Sequence, residues 1–110
     1  MEFEYQIKYD PAVIEKIEDI RNYIEKVLLA PSAAKKRVAS IFDDVAKIKP
    51  MPESYPSVDQ KIGIQISKKF ETIFTLIAGG KYLVFFFIDG RTIYITHLLP
   101  TETDYLSLFQ

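Results

Sequence analysis

The first residues of the chain alternate. Phe3, Tyr5, Ile7 and Tyr9 are apolar or aromatic, while Glu2, Glu4, Gln6 and Lys8 are polar. A period of two puts the apolar set on one side of an extended chain, so a strand with one buried face is expected. At Asp10-Pro11 the period changes. An aspartate carboxylate accepts from the free amides of a first helical turn, and proline fits the position where no amide partner is needed. Val13, Ile17, Ile20, Ile24 and Val27 with Leu28 then recur at intervals of three and four, with charged residues between them. This predicts an amphipathic helix over about 11–29.

Ala30-Pro31-Ser32 breaks that helix. Ser32 is the expected cap of a second one, whose stripe is Ala34, Val38, Ile41, Val45 and Ile48 with Phe42 beside it. So short a connection makes the pair an antiparallel hairpin. Pro50, Pro52 and Pro56 end the second helix and preclude regular structure until about residue 60. The rest reads as strands. Ile62, Ile64 and Ile66 alternate, and 70–78 is rich in Thr, Ile and Phe. Residues 82–88 are apolar on both sides, the mark of a central strand, and 92–99 form the last strand before Pro100. Gly79-Gly80 and Asp89-Gly90 are hairpin turns, the second carrying a type I′ signal. One short helical turn is expected in the tail around Tyr105, Leu106 and Phe109.

Strands joined by tight turns are antiparallel. The expected fold is therefore α+β with two layers: an N-terminal strand, then a helical hairpin packed on one face of a C-terminal antiparallel sheet of three or four strands, all in a single domain over 1–110. Strict alternation puts Tyr82, Val84, Phe86 and Ile88 on one sheet face and Leu83, Phe85 and Phe87 on the other. It likewise opposes Ile93, Ile95, His97 and Leu99 to Tyr94, Thr96 and Leu98. Both faces are apolar, but the helices cover one. At about 25 cal/mol per Å², aromatics left in water are costly and invite association. Either the tail folds back over this face or a partner chain covers it; the tail is short, so a partner over Phe85, Phe87, Tyr94 and Leu98 is the expected cover.

Composition narrows the chemistry. The chain has 110 residues, 48% hydrophobic and 26% charged, with 8 Phe and 7 Tyr, which is one domain's length with a real core. There is no Cys, which removes disulfides, thiolate metal sites and thiol nucleophiles, and the single His makes an all-His metal site implausible. No metal and no cofactor is expected. The net charge is −1 and the pI about 5.8, without the basic excess of a broad nucleic-acid-binding face. The N-terminal residues alternate without a continuous apolar run, and the longest such run, 82–88, is far short of a membrane span, so a cytoplasmic protein without a membrane partner is expected.

The ordered segments resemble a known family. Tyr9-Asp10-Pro11-Ala12, Ile17-Glu18-Asp19-Ile20-Arg21-Asn22-Tyr23-Ile24, the Ala30-Pro31-Ser32 break, the run from Ile48 to Val58 with its Pro52 and Tyr55-Pro56, the central Tyr82-Leu83-Val84-Phe85-Phe86-Phe87-Ile88-Asp89, and Thr92-Ile93-Tyr94-Ile95 are together similar to the RelE/ParE superfamily of bacterial type II toxins. The resemblance implies growth inhibition and neutralisation by a cognate antitoxin protein. In the ParE-like branch it implies inhibition of DNA gyrase by protein–protein contact. In the RelE-like branch it implies ribosome-dependent cleavage of mRNA, with cations beside the phosphate and a proton-transfer group. Here the arginine expected after the last strand is replaced by His97, and the following arginine pair by Glu102-Thr103. The ParE-like reading is therefore preferred, with a non-toxic relative serving as an interaction partner as a further alternative.

If the chain is a nuclease, His97 with Lys81, Arg91 and Lys69 are the candidates. His97 is otherwise a strand histidine satisfied by its neighbours. Tyr82, Tyr94 and Tyr105 can position a phosphate, or pack in the core with the hydroxyl at the edge. Lys35, Lys36 and Arg37 fall in the first turn of the expected second helix, where the dipole disfavours cations. That placement suggests contact with an acidic target or antitoxin, against the simpler reading of a solvated face.

Overall fold

Asp10 does at the start of the first helix what its chemistry predicts: its Oδ1 accepts from the Ala12 amide at 2.9 Å. In the computed structural model the described residues are 5–57 and 70–102, so the strand expected around Ile62, Ile64 and Ile66 and the helical turn around Tyr105, Leu106 and Phe109 lie outside them. Strand β1 (Gln6–Tyr9) leads into helix α1 (Pro11–Asn22), followed by helix α2 (Pro31–Ala46) and strands β2 (Ile73–Ile77), β3 (Tyr82–Asp89) and β4 (Thr92–Pro100). Losing the Asp10 cap through Asp10→Ala is expected to cost about 1 kcal/mol. Urea melts check this, and an unchanged midpoint would show that the cap contributes nothing.

The sheet is mixed, in the order β1-β4-β3-β2. The two C-terminal hairpins are antiparallel, as tight turns require. β1 instead runs parallel to β4, with Ile7 beside Ile93 and Tyr9 beside Ile95. A parallel pair needs a long crossover, and the helical hairpin and everything after it supply one. The C-terminal strands are antiparallel as expected, and β1, for which the sequence reading gives no partner, adds a parallel edge.

Helices α1 and α2 pack on a single face of the sheet, α1 over β4 and α2 over β2. Their stripes meet the sheet in one core: Val13, Ile17, Ile41, Val45 and Ile48 against Ile73, Ile77, Val84, Phe86, Ile93, Ile95 and Leu98. The Asp44 carboxylate ties the layers together by accepting from the Ala78 amide at 2.7 Å, where the chain enters the turn with φ 53°.

Three local features depart from the sequence reading. First, Pro31 occupies the first position of α2 and Ala30 the cap, with no side-chain cap bond, so Ser32 is not the cap. Lys35, Lys36 and Arg37 consequently lie in the second turn, beyond the strongest dipole field. Second, α1 passes into a π-helical turn, Tyr23–Val27, closed by Leu28 N donating to Tyr23 O at 3.1 Å. The wider turn rotates the residues after it off the stripe. Ile24 stays buried, while Val27 and Leu28, expected in the stripe, are exposed. Third, the β3–β4 turn residues are Gly90, at φ 63°, and Arg91, which is not left-handed, giving the sign pattern of a type II′ turn rather than I′.

Candidate functional site

The face opposite the helices carries two rows of rings. In one, Phe74 lies over Phe85 (centroids 6.1 Å) and Phe85 meets His97 edge-on (6.0 Å). In the other, Phe70 stacks on Phe87 (4.5 Å) and Phe87 on Tyr94 (5.0 Å). The cross-strand register creates these rows: Phe74, Phe85 and His97 are direct partners, as are Phe87 and Tyr94.

β4 breaks its own alternation to do this. Phe86 pairs with Ile95 and Phe85 with His97, so Thr96 is an extra residue, and its hydroxyl donates to the Phe85 carbonyl at 3.2 Å. Such a bulge reverses the parity of the strand beyond it. His97 and Leu99 turn to the ring face and Leu98 turns to the helices, the opposite of the strict alternation. Leu98 is 3% exposed in the core and offers a partner no surface.

The same holds for Phe85. It is 0% exposed and its neighbour Leu83 is 5% exposed, with no partner chain present. The centre of this face is sealed within the single chain, which overturns the expectation that another protein must cover it. Phe87 and Tyr94 are half-buried, and Leu76 at the edge is exposed.

The candidate cations do not gather. Lys81 precedes β3 and Arg91 sits in the turn beyond its other end, roughly 25 Å away along an eight-residue strand at about 3.3 Å per residue. His97 lies mid-sheet between them, and Lys69 and Tyr105 are outside the described residues. The His97 Nδ1 is 3.0 Å from the Thr96 hydroxyl. Both residues line a cavity of about 200 Å³ with Val13 and Lys16 of α1. Among the described residues no three His, Asp or Glu side chains stand close enough to share a metal ion.

Desolvation pushes the His97 imidazole below its ordinary value of 6.5, and the Asp10 carboxylate offsets part of that effect. The folded chain therefore takes up this proton at lower pH than the unfolded chain does. Stability from this group is complete above the unfolded value and is lost as pH falls through 6.5 toward the folded pKa. His97 is exposed, so solvent screens much of the effect and urea melts across that window are expected to show only a shallow fall in stability toward low pH. His97→Gln should remove this component, and identical slopes in the two proteins would contradict the assignment.

An open apolar surface lies elsewhere, where α1 turns into α2. A groove of about 420 Å³ is lined by Ile20, Tyr23, Ile24 and Leu28 on one wall, Ala33 and Arg37 on the other, and Tyr82 beneath. The Arg37 guanidinium lies 5.7 Å above the Tyr82 ring and donates to its hydroxyl at 3.0 Å. Beside the groove Val27 is 63% exposed and Leu29 is 80% exposed. Of the three helix cations singled out from the sequence, Arg37 enters the groove. Lys35 lines a separate small hollow with Arg21 and Glu25, and Lys36 faces solvent. The sequence reading missed this groove, because Val27 and Leu28 were assigned to the buried stripe. The signal that was available is the run Val27-Leu28-Leu29, too many apolar residues in a row for one stripe.

The architecture is a two-layer α+β fold that a solved structure shares. Over 92% of this chain and 100% of the other, it superposes with a TM-score of 0.71 and 16% identity on a chain of a solved structure described as "Chromosomal ParDE TA system from P. aeruginosa". No family model and no curated protein matches the sequence. Among the described residues no helix is long and apolar enough to cross a membrane.

Proposed function

We propose that this chain is the toxin of a type II toxin–antitoxin pair, that it acts in the cytoplasm by binding DNA gyrase, and that a cognate antitoxin holds it silent. The observation that carries this reading is the fold shared with a chain of a toxin–antitoxin assembly. The choice of a protein target over ribosomal RNA draws support from the net charge of −1 and from the dispersed cations. Lys81 and Arg91 stand at opposite ends of β3. A nuclease needs cations and a proton-transfer group around one phosphate.

Inducing the chain alone, and then with the product of the small gene beside its own, tests the reading. Growth is expected to stop in the first case and continue in the second. Supercoiling by purified gyrase should fall with added protein, and His97→Ala should inhibit as well as the native chain. Messenger RNA cleaved on translating ribosomes, with the cleavage vanishing in His97→Ala, would assign the nuclease activity instead. Undisturbed growth at every induction level would leave a non-toxic relative that serves as an interaction partner.

A further inference from the structure

Lys16, Ile20 and Tyr23 line the groove at the helical hairpin and follow one another by four and three residues. An α-helix repeats every 3.6 residues, so the next member of this row, four further on, is Val27. Val27 is not on the lining and is exposed. Leu28 stands there instead, five residues after Tyr23, because the turn between them is π and Leu28 N donates to Tyr23 O at 3.1 Å. One extra residue is fitted into a single turn.

The sequence favours the other count. In an unbroken α-helix Leu28 stands four residues beyond Ile24 and eleven beyond Ile17, both buried, so it joins the core row while Val27 joins the groove row. The π turn leaves both side chains exposed. Leu29 carries a second and independent mark of the same tension. At φ 55° it is left-handed, where a Cβ crowds the following carbonyl and glycine is the usual residue. That conformation lets Ala30 N reach back to Ile24 O at 3.0 Å and close the turn. The Leu29 side chain is exposed and gains no burial in exchange. Single π turns and strained residues gather where a segment changes shape.

We propose that residues 23–29 form a register switch. They exchange between the π turn, which puts Leu28 on the groove wall, and an α-helical register, in which Val27 takes that place and Leu28 turns in beside Ile24. The exchange loses little bonding. In the π turn the Tyr23 and Ile24 carbonyls accept from Leu28 N and Ala30 N. In the α register the same two carbonyls accept from Val27 N and Leu28 N, the ordinary i→i+4 partners, so neither acceptor is orphaned in either state. The wall residue changes from leucine to the smaller valine, and Ala30, also on the lining, moves with the connection. The groove therefore has two shapes. A molecule that packs on Leu28 selects the π register, and one that fits against Val27 selects the α register.

Methyl relaxation dispersion on the full chain, labelled at valine, leucine and isoleucine, reads the exchange directly. Ile24, Val27 and Leu28 are expected to report one shared process on the microsecond-to-millisecond scale, with a minor state populated on the order of 1% or more. Leu29→Gly removes the cost of the left-handed conformation and should lower the minor population about tenfold, equivalent to about 1.4 kcal/mol. Leu29→Ile, whose branched side chain resists a positive φ more strongly, should raise it. Deleting Lys26 makes Leu28 the fourth residue after Tyr23, so a plain α-helix then puts leucine on the wall and the exchange should vanish. If that deletion does not fold, the two Leu29 variants decide. Flat dispersion at Val27 and Leu28 in the native chain overturns the switch. Minor-state chemical shifts of random coil over 24–28 also overturn it, by assigning a fraying helix end. So does a minor population equal in Leu29→Gly and Leu29→Ile, even where Leu29→Gly raises the melting temperature, because strain relief alone would then account for Leu29.

Discussion

Leu98→Asp is expected to unfold the chain, and Leu99→Asp is not. Leu98 is 3% exposed and packs in the core with Val84, its cross-strand partner. An aspartate there loses the buried side chain and places an unpaired carboxylate among apolar groups, a change worth more than about 4 kcal/mol. Leu99 is partly open on the opposite face, so the same substitution should cost about half as much or less. In a domain of this size 1 kcal/mol moves the melting temperature by roughly 4–8 °C, so calorimetry separates the two variants. Greater sensitivity at Leu99 would mean that β4 alternates without its bulge.

That pair of residues shows where sequence reasoning stopped. Residues 93–99 are apolar or neutral in both parities, so nothing in the period of two marks Thr96 as an extra residue. The bulge is written in the pairing with Phe85, which is a non-local fact. Local chemistry was legible by contrast. The Asp10 cap, the stripe of Val13 and Ile17, the break at Pro31 and the glycine turns each depend on a few neighbouring residues, and each formed close to where it was expected. The parallel pairing of β1 was not, because its partner lies at the other end of the chain. The candidate site suffered similarly. Arg37 was singled out for its charge, but its groove exists because a π turn displaces Val27 and Leu28, and i→i+5 bonding leaves no clear trace in the pattern.

Phe85→Ala is expected to destabilise the isolated chain by about 3–5 kcal/mol, as much as Phe86→Ala on the helix side. Both rings are fully buried, one on each face of the central strand. Phe87→Ala, at a half-buried position, should cost clearly less. Urea unfolding of the monomer measures all three. A loss at Phe85 below about 1 kcal/mol would restore the picture of a face that waits for a partner, since an uncovered ring has little burial to lose. The distinction bears on the proposed function. If the ring face is complete in the free chain, binding surfaces must be sought at its half-open rim, Phe87 and Tyr94, and at the helical hairpin.

The pairing of β1 with β4 also sets an order of events during synthesis. Gln6–Tyr9 are made first, yet the strand that receives them, Thr92–Pro100, is made only after the helical hairpin and two further strands. The helical hairpin is complete in the interval, with its apolar stripes uncovered and no finished sheet to lie on. Contacts between such distant segments close slowly, because the intervening chain must first be gathered in. A nascent chain interrupted before Thr92 holds both helices and no native sheet neighbour for its first strand. Whatever the finished protein does through its sheet is withheld from every product that stops before Thr92.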